Sequence, residues 1–437
     1  MDNKNLYYIW LSSTLVAGSK TPKILLEHFG DIEKIYNAQK QDYTSIGIHP
    51  SDVMSLCNKN LDNAKRYLEY CEKSGVGILT YDNPSYPERL KIIDNPPPMF
   101  YYKGRLKMLD DYPCITMVGT RSCSERGFRF AYETAYDAAS KGAVIVNGLA
   151  LGIDGACIAA CLDANGYAVG LLGCGIDTIY PYGNKDLFDR LSNSGLILSE
   201  FSPFSEPEGK NFPVRNRVMS ALSLATCVFE AADGSGAKHT ARHALEQGRR
   251  IFAVPAKPYD KSYAVALELI KEGATVFTES DDILIEYSMN FPHRINLANT
   301  NEVPKEKLDN LVAKYFKKDT DPDAPVNRRF GSKAQNKPTQ KKAEDTPAQI
   351  KPTAESFIKQ KEEVREQQES TEKKAHDLST LSTIERKIYD TLCEGTALSP
   401  DEIASRGIRI EEILATLTLL EIYGLITAMP GGKYIAV

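Results

Sequence analysis

The sequence predicts an α/β protein whose core carries a mostly parallel sheet, with a small helical domain before the core and a winged-helix domain after it. Three observations lead to this fold class. Short apolar runs alternate with amphipathic segments between residues 113 and 288, which is the pattern of a parallel sheet covered by helices on both faces. The first 77 residues show helical spacing alone, and residues 378–437 combine three helical segments with a hairpin.

The composition is that of a multidomain protein without a general affinity for polyanions. The chain has 437 residues, of which 42% are hydrophobic and 25% charged, and its net charge is −5. A chain of this length is expected to form roughly two to four domains. Because the chain as a whole is slightly acidic, any nucleic-acid site must be a local basic patch.

The sequence indicates a cytoplasmic protein with no membrane contact. Its nine cysteines are scattered and include no C-x-x-C pair, which favours reduced thiols. The first residues do not resemble a signal peptide, and no run approaches the ~18–20 apolar residues of a membrane span.

Residues 1–77 are predicted to form a helical domain of the SAM or helix-hairpin-helix type. Gly30, Gly47 and Gly75 fall where helices would end. The fragment Gly47-Ile-His is a poor match to a hairpin that grips DNA, so a structural scaffold is the preferred interpretation. The predicted helices span residues 6–16, 21–29, 32–37, 51–57 and 61–73.

Residues 78–290 are predicted to contain the core, an extended Rossmann-like fold that begins with a connection. The connection, residues 78–112, is rich in proline, so we expect it to lie extended on the domain surface. From residue 113 onward strands and helices alternate. The predicted strands are 115–118, 143–147, 168–173, 196–199, 226–230, 250–254 and 274–277, and the predicted helices are 128–140, 154–164, 184–193, 214–222, 240–248 and 263–272.

The turn after the first of these strands is a candidate anion site. Gly119, Thr120, Arg121 and Ser122 follow a buried strand and precede a helix. This order points backbone N–H groups and a helix N-terminus at whatever lies above the strand, and both favour phosphates. Arg121 adds a fixed positive charge. A plain tight turn is the alternative, since the motif is neither a complete G-x-G-x-x-G nor a Walker loop.

Glycine-rich turns also follow the next strands, and the carboxyl ends of parallel strands meet at one edge of a sheet. Five such turns predict one extended site for an anionic ligand, and their basic residues suit a chain of phosphates. The candidate DNA- or phosphate-binding residues in these turns are Gly148, Gly152, Lys185, Phe212, Arg215, Asn216, Arg217, Ser235 and Lys238. Phe212 is predicted either to stack on a nucleic-acid base or to pack in the core.

The sequence contains no recognisable catalytic site, metal site or cofactor motif. His239 and His243 share one helical face, but no third ligand has recognisable spacing. Ser235 lacks a His–Asp pair and the G-x-S-x-G elbow. We therefore expect a binding protein rather than an enzyme, with no catalytic residue, no metal and no cofactor.

After the core, the sequence predicts a linker and then the winged-helix domain. Residues 291–377 are assigned as a disordered linker, because residues 318–377 are too poor in apolar side chains to offset the entropy of ordering. Residues 378–437 form three helical segments and a β-hairpin. The third helical segment, residues 409–423, is acidic and apolar. Contact with protein is therefore favoured over contact with DNA, which remains the alternative.

The motifs of the ordered chain resemble the DNA-processing protein A family (DprA, also called Smf). The resemblance is carried by their order and spacing. These motifs are Tyr86-Pro-Glu-Arg-Leu90, Val118-Gly-Thr-Arg121, Gly148-Leu-Ala-Leu-Gly-Ile-Asp154, Gly173-Cys-Gly175, Ser199-Glu200, Asn211-Phe-Pro-Val-Arg-Asn-Arg217, Ala244-Leu-Glu-Gln-Gly-Arg249 and Phe252-Ala-Val-Pro255. The resemblance implies a homodimer that binds single-stranded DNA, protects incoming DNA during natural transformation and loads the RecA recombinase onto it.

The resemblance also implies roles for individual residues. Residues 119–122 fall on the family's phosphate-binding loop, Lys185 near its basic pocket, and residues 212–217 on its most distinctive DNA-contact segment. Leu151 and Cys157 stand where the family usually has arginine and histidine. Loss of a charge-assisted arginine would weaken phosphate binding by about 1–3 kcal/mol. Two alternatives stay open: a nucleoside-monophosphate phosphoribohydrolase-like enzyme of related fold, or an interaction scaffold with weakened DNA binding.

Overall fold

The computed structural model describes residues 3–299, 301–316, 383–393, 398–404, 406, 413, 416–417, 420, 425–429 and 433–436. The chain divides into two compact units, Met1–Val326 and Asn327–Val437.

The first unit is built on one nine-stranded sheet. Its strands are β1 (Gly77–Thr80), β2 (Met99–Gly104), β3 (Cys114–Val118), β4 (Val144–Asn147), β5 (Ala168–Leu172), β6 (Leu196–Ser199), β7 (Ala225–Val228), β8 (Arg250–Ala253) and β9 (Thr275–Val276). Their order across the sheet is β1-β2-β6-β5-β4-β3-β7-β8-β9. Strands β3 to β9 pair in parallel, and β1 and β2 are antiparallel to their neighbours. The predicted mostly parallel sheet and its seven predicted strands are therefore confirmed.

Strand β3 is the point at which the strand order reverses. The chain proceeds from β3 through β4 and β5 to β6 on one side, and β7, β8 and β9 lie on the other. In open α/β sheets, ligands bind beyond the carboxyl ends of the strands at such a reversal. A ligand site is therefore expected beyond the carboxyl end of β3.

Helices cover both faces of the sheet, because successive residues of a buried strand point to opposite sides. Along β3, Ile115 and Met117 belong to one hydrophobic cluster, whereas Cys114 and Val118 belong to the other. The helices of the first unit are α1 (Asn3–Thr14), α2 (Thr21–Phe29), α3 (Ile32–Asn37), α4 (Lys40–Ser45), α5 (Pro50–Cys57), α6 (Asp62–Ser74), α7 (Glu88–Lys91), α8 (Glu125–Ser140), α9 (Ile153–Asp163), α10 (Lys185–Ser194), α11 (Asn211–Leu222), α12 (Gly236–Glu246), α13 (Ala264–Lys271), α14 (Asp281–Ser288) and α15 (Lys305–Phe316).

The prediction that residues 78–112 form an extended surface connection is wrong. This segment supplies β2 and most of β1, and Met99, Phe100 and Tyr101 are buried. Gly77 makes room for the ring of Tyr102, because a Cβ atom at Gly77 would lie 2.1 Å from Cζ of that ring. The prolines at 96–98 directly precede β2, and proline is tolerated at the start of a strand.

Helices α1 to α6 pack on the sheet and are part of the first unit. Trp10, Leu25 and Tyr43 of these helices share one hydrophobic cluster with Met99 and Tyr101 of β2. The predicted domain boundary at residue 77 falls inside this cluster. The front helices and the sheet therefore bury a common core.

The prediction that the linker begins at residue 291 is also wrong. Helix α15 packs against α8, with Leu308 and Val312 buried. The ring of Phe128 lies 4.9 Å from that of Tyr315 and 5.6 Å from that of Phe316, measured between centroids. Apolar residues at helical spacing thus extend the ordered unit to residue 316. The rest of the predicted linker, residues 317–377, lies outside the described residues.

The second unit has the elements of a winged-helix domain. It contains α16 (Thr383–Leu392), α17 (Pro400–Ala404) and an antiparallel pair of strands, β10 (Ile426–Met429) and β11 (Lys433–Ala436). The Ser399 hydroxyl accepts a hydrogen bond from the Glu402 backbone N–H at 3.3 Å, and the Glu402 carboxylate accepts one from Ser399 N at 2.7 Å. This capping box begins α17. Most of the predicted third helix, residues 409–423, lies outside the described residues.

Across the described ranges, the structure contains no helix that combines the length and the apolar character needed to cross a bilayer. The nine cysteines are free thiols.

Candidate nucleic-acid interface

The turn after β3 is pinned at its base and open at its tip. Gly119 packs against Ile153, where a Cβ atom at position 119 would lie 2.6 Å from Cγ1 of the isoleucine. Thr120 N donates a hydrogen bond to the Glu230 carbonyl oxygen at 2.7 Å, and Ile153 N donates to the Thr120 carbonyl oxygen at 3.3 Å. Arg121 and Ser122 are exposed. The turn therefore presents the Arg121 side chain to solvent from a fixed backbone.

The sequence predicts that the N-terminus of α8 faces a bound ligand. In the structure, an acidic side chain of the protein already lies there. The Glu230 carboxylate occupies this position: Ser124 N lies 3.0 Å from both carboxylate oxygens, and Ser124 Oγ donates to Oε2 at 2.7 Å. A Cβ atom at Gly127 would lie 2.1 Å from Oε2. A helix N-terminus stabilises any nearby anion, and here the anion is a side chain of the protein.

Arg215 lies beneath the turn after β4. Its Nη1 donates to the Gly148 carbonyl oxygen at 3.0 Å and also to the carbonyl oxygen of Leu171, and its Nε donates to Asn216 Oδ1 at 3.1 Å. A larger residue at position 148 would displace the Arg215 guanidinium, because a Cβ atom there would lie 2.5 Å from Nη1. Nη2 has no hydrogen-bond acceptor among the described residues, so this N–H group is the one that can reach a bound anion.

The Arg215 side chain stays charged although it is buried. Burial lowers the pKa of Arg215 to about 10, and the nearby Asp154 carboxylate opposes this shift. Burial raises the pKa of Asp154, and the positive charges of Arg215 and Arg121 limit that rise. A pKa near 10 keeps the guanidinium protonated at neutral pH.

Two guanidinium groups lie close to the Phe212 ring. The guanidinium carbon of Arg121 is 5.4 Å from the ring centroid and that of Arg215 is 5.9 Å away, and the ring of Tyr180 lies 5.5 Å from it. Phe212 is half-buried and belongs to neither hydrophobic cluster of the first unit. We call Arg121, Tyr180, Phe212 and Arg215 the arginine–aromatic cluster.

The glycine at position 173 makes room for the Phe212 ring. A Cβ atom at Gly173 would lie 2.8 Å from Cδ1 of that ring. The sequence prediction did not include Tyr180 among the site residues. Its position could have indicated a role in the site, because Tyr180 ends the glycine-rich turn that begins at Gly173.

Arg217 does not face the cluster, contrary to the expectation that it contacts phosphate. Its guanidinium forms a bidentate ion pair with Glu200, with N–O distances of 2.7 and 2.8 Å, and Arg217 is only 3% exposed. Nε donates to the Asn95 carbonyl oxygen at 3.1 Å. Gly18 N also donates to Glu200, at 3.2 Å. Arg217 therefore links α11 to the front helices and is not free to bind an anion.

The remaining candidate residues lie outside the arginine–aromatic cluster, and most of them are engaged by other residues. Lys185 is exposed and pairs with Asp189 at 2.6 Å. Lys238 is held by Glu268 at 2.7 Å, Asn216 is buried against α12, and Ser235 caps the start of that helix. Gly152 has a φ of 77° and packs under the Thr120 carbonyl, 2.4 Å from where its Cβ atom would lie.

Neither of the two positions that depart from the family pattern carries a basic side chain. Leu151 is half-buried and lies beside Gly183, with Cδ2 at 3.2 Å from the Cβ position of that glycine. Cys157 is buried, and burial raises the pKa of its thiol well above the usual value. Among the described residues there is also no group of three or more His, Cys, Asp or Glu side chains arranged to hold a metal ion.

Comparison with known proteins decides the family. Residues 77–288 match the model of DNA recombination-mediator protein A, and residues 372–432 match the DprA winged helix domain. The chain is 35% identical over 291 residues to Protein Smf of a Synechocystis species, covering 65% of this chain and 72% of that protein. It is 38% identical over 227 residues to DNA processing protein DprA of Streptococcus pneumoniae, covering 52% and 79% of the two chains. The chain belongs to the DprA/Smf family.

A solved DprA structure supports the same conclusion for the fold. The X-ray structure of DprA from Streptococcus pneumoniae superimposes with a TM-score of 0.57 and 31% identity, covering 65% of this chain and 98% of that one. The DprA/Smf assignment gives this chain a DNA-processing role. The matched family model is that of a recombination mediator.

Proposed function

We propose that this DprA/Smf chain binds single-stranded DNA at the arginine–aromatic cluster. The observation that carries the proposal is the partly exposed ring of Phe212 close to the guanidinium groups of Arg121 and Arg215. An aromatic ring beside fixed cations can stack a base while the cations bind the adjacent phosphates. In a duplex the bases are already stacked on each other, so the single strand is the form that such a cluster favours.

The burial of Arg215 strengthens this proposal. An arginine that lies in place before the ligand arrives loses little side-chain entropy on binding. Its Nη1 and Nε atoms are held by the protein, and Nη2 remains for a phosphate oxygen. Arg121 supplies the exposed charge that meets the strand first.

A fluorescence-anisotropy titration with single- and double-stranded oligonucleotides of equal length tests the proposal. We expect preference for the single strand, and weaker binding in Arg121→Ala by about 1–3 kcal/mol and in Phe212→Ala by about 1–3 kcal/mol for a lost stacked base. Arg242→Ala removes an equal charge from an exposed position on α12 and should bind as the unsubstituted protein does. Equal affinity in all four proteins would refute the assignment, and absence of binding would favour the interaction scaffold.

We also propose that the protein acts as a homodimer that protects incoming DNA and loads RecA onto it in the cytoplasm. The family's description as a recombination mediator supports the loading step. Strand β9 supports a dimer, because it forms one edge of the sheet and its Val276 is exposed, and exposed edges pair readily with other chains. Light scattering on the purified chain and RecA filament assembly on DNA covered by single-strand-binding protein test the two statements separately.

A further inference from the structure

A second cleft lies on the β7 side of the turn after β3, away from the strands that carry the arginine–aromatic cluster. It is a cavity of about 770 Å³ among residues that follow β7, β8 and β9 and that begin α8. We call it the β8 cavity. Its volume lies in the range of about 300–1,000 Å³ that is usual for small-molecule sites. The lining residues that matter here are Arg126, Phe130, Glu230, Lys257, Tyr263 and Phe277.

Two cations lie at the rim of the β8 cavity. Arg126 and Lys257 are both exposed, and neither forms an ion pair with any residue that the structure describes. Asp260, one of the carboxylates in the lining, accepts a hydrogen bond from Ser262 N at 3.0 Å. Arg126 and Lys257 are therefore available to an anionic group such as a phosphate.

One wall of the cavity is aromatic. The rings of Phe130 and Phe277 lie 6.1 Å apart and are within 27° of parallel. Phe277 is fully buried, whereas Phe130 is only partly buried, so part of the Phe130 side chain faces the cavity. A planar heterocycle is the kind of group that such a wall accepts.

Two polar groups in the lining of the cavity, on Glu230 and Tyr263, can form further hydrogen bonds. Glu230 Oε1 receives only the N–H of Ser124, which it shares with Oε2. The Tyr263 hydroxyl makes no hydrogen bond within the described part of the chain. Burial and the Glu230 charge raise the pKa of Tyr263, while Arg126 lowers it, so the phenol carries its proton at neutral pH.

We propose that the β8 cavity binds one nucleotide. The base packs on Phe130, the phosphate meets Arg126 and Lys257, and Glu230 accepts an N–H or hydroxyl donor of the nucleotide. The nucleotide is either a free mononucleotide or a nucleotide of a bound strand, since both present the same base and phosphate. The second of these sources rests on the proposed DNA binding, and the first does not.

Isothermal titration with dGMP tests the free-nucleotide source, since guanine offers adjacent N–H donors to a carboxylate. We expect saturable binding that Arg126→Ala/Lys257→Ala weakens about tenfold or more. The control, Arg242→Ala/Lys271→Ala, removes the same charge from exposed positions outside the cavity and should bind dGMP unchanged. Inorganic phosphate should bind far more weakly than dGMP, because it lacks the base.

Titration of the same variants with a single-stranded oligonucleotide tests the strand source. If the cavity takes a nucleotide of the strand, Arg126→Ala/Lys257→Ala binds the oligonucleotide more weakly than the control does. The proposal is overturned if the two double variants are indistinguishable toward both dGMP and the oligonucleotide. Arg121→Ala separates this outcome from failure of the proposed function, because it should lose strand affinity and keep dGMP affinity.

Discussion

Arg217 and Glu200 show how a residue in a DNA-binding motif can serve the fold. The ion pair is bidentate, and both side chains are almost completely withdrawn from water. Glu200 also accepts the backbone N–H of Gly18, and Arg217 donates to the backbone of Asn95. Four separate segments of the chain therefore meet at this one pair.

Removal of one partner of this pair should be costly. We expect Arg217→Ala to lower the free energy of unfolding by about 3–5 kcal/mol, because Glu200 would keep a buried and unpaired charge. Urea denaturation measures the change. Arg121→Ala, which removes an exposed arginine, should stay within about 0.5 kcal/mol of the unsubstituted protein. If Arg217→Ala unfolded with unchanged stability but lost DNA affinity, Arg217 would be a DNA contact after all.

Lys141 makes the stability of the first unit depend on pH in the alkaline range. Its ammonium group lies 2.7 Å from an Asp137 oxygen and 2.8 Å from an Asp281 oxygen. Burial alone would lower the pKa of Lys141, but the hydrogen bonds and charges of the two carboxylates outweigh it, so the pKa is raised. A raised lysine pKa stabilises the folded state below the unfolded pKa, and the stabilisation is lost as pH rises through the folded pKa.

The stability difference between the unsubstituted protein and Lys141→Met should therefore be constant at neutral pH and shrink above pH ~10.4, the usual lysine pKa. Unfolding free energies from urea titrations at a series of pH values measure this difference. Lys271→Met, at an exposed lysine, controls for other groups that titrate in the same range. A difference that did not change with pH would contradict the assigned role of Lys141.

Among the elements, α15 contributes buried residues to the core although its composition resembles that of a linker. Its surface carries Lys and Glu like the segment that follows it, yet Leu308 and Val312 face α8 and are buried. The amphipathic period was present in the sequence between residues 305 and 316. Average composition predicts that order ends at residue 291, whereas the spacing of the apolar residues indicates the helix that the structure contains.

Leu308→Ala should lower the free energy of unfolding by about 2–5 kcal/mol, the usual cost of emptying a buried leucine site. Thermal or urea unfolding of the whole chain measures it. Lys305→Ala, on the same helix and exposed, is the matched control and should change stability little. If both substitutions had the same small effect, α15 would not be part of the folded core in solution.

The strands divide into those that the sequence predicts and those that it does not. Strands such as β3 are buried on both faces and therefore appear as continuous apolar runs. Strands β1 and β2 contain glycine, tyrosine and lysine and lie next to prolines. Their place in the sheet depends on pairing with β6, which is remote in sequence, and no local pattern reports such a pairing.

At the scale of the whole molecule, the acidic net charge limits the attraction between this chain and DNA. With a net charge of −5, the chain offers no general attraction to phosphates, so affinity must come from a few local cations. Burial and existing ion pairs decide which of the predicted cations can bind phosphates. The sequence identified five basic residues at one edge of the sheet, but it could not show that Lys185, Arg217 and Lys238 are already paired with carboxylates.

The salt dependence of single-strand binding should therefore be shallow. Each phosphate contact on a single strand contributes a slope of about −0.7 to log K against log salt. With two or three contacting cations we expect a total slope of roughly −1.5 to −2, and Arg121→Ala should reduce it by about 0.7. Anisotropy titrations at several salt concentrations measure both slopes. A much steeper slope would indicate a basic surface beyond the arginine–aromatic cluster.

The packing of α15 also determines where the chain can be cut for recombinant production. The family match ends at residue 288, and a fragment that ended there would uncover the Phe128 ring. A fragment that began at residue 77 would uncover Met99 and Tyr101, which the front helices cover. Newly exposed apolar patches promote aggregation. Boundaries drawn from similarity alone would therefore yield insoluble protein, and a fragment spanning residues 3–316 is the one suited to crystallisation.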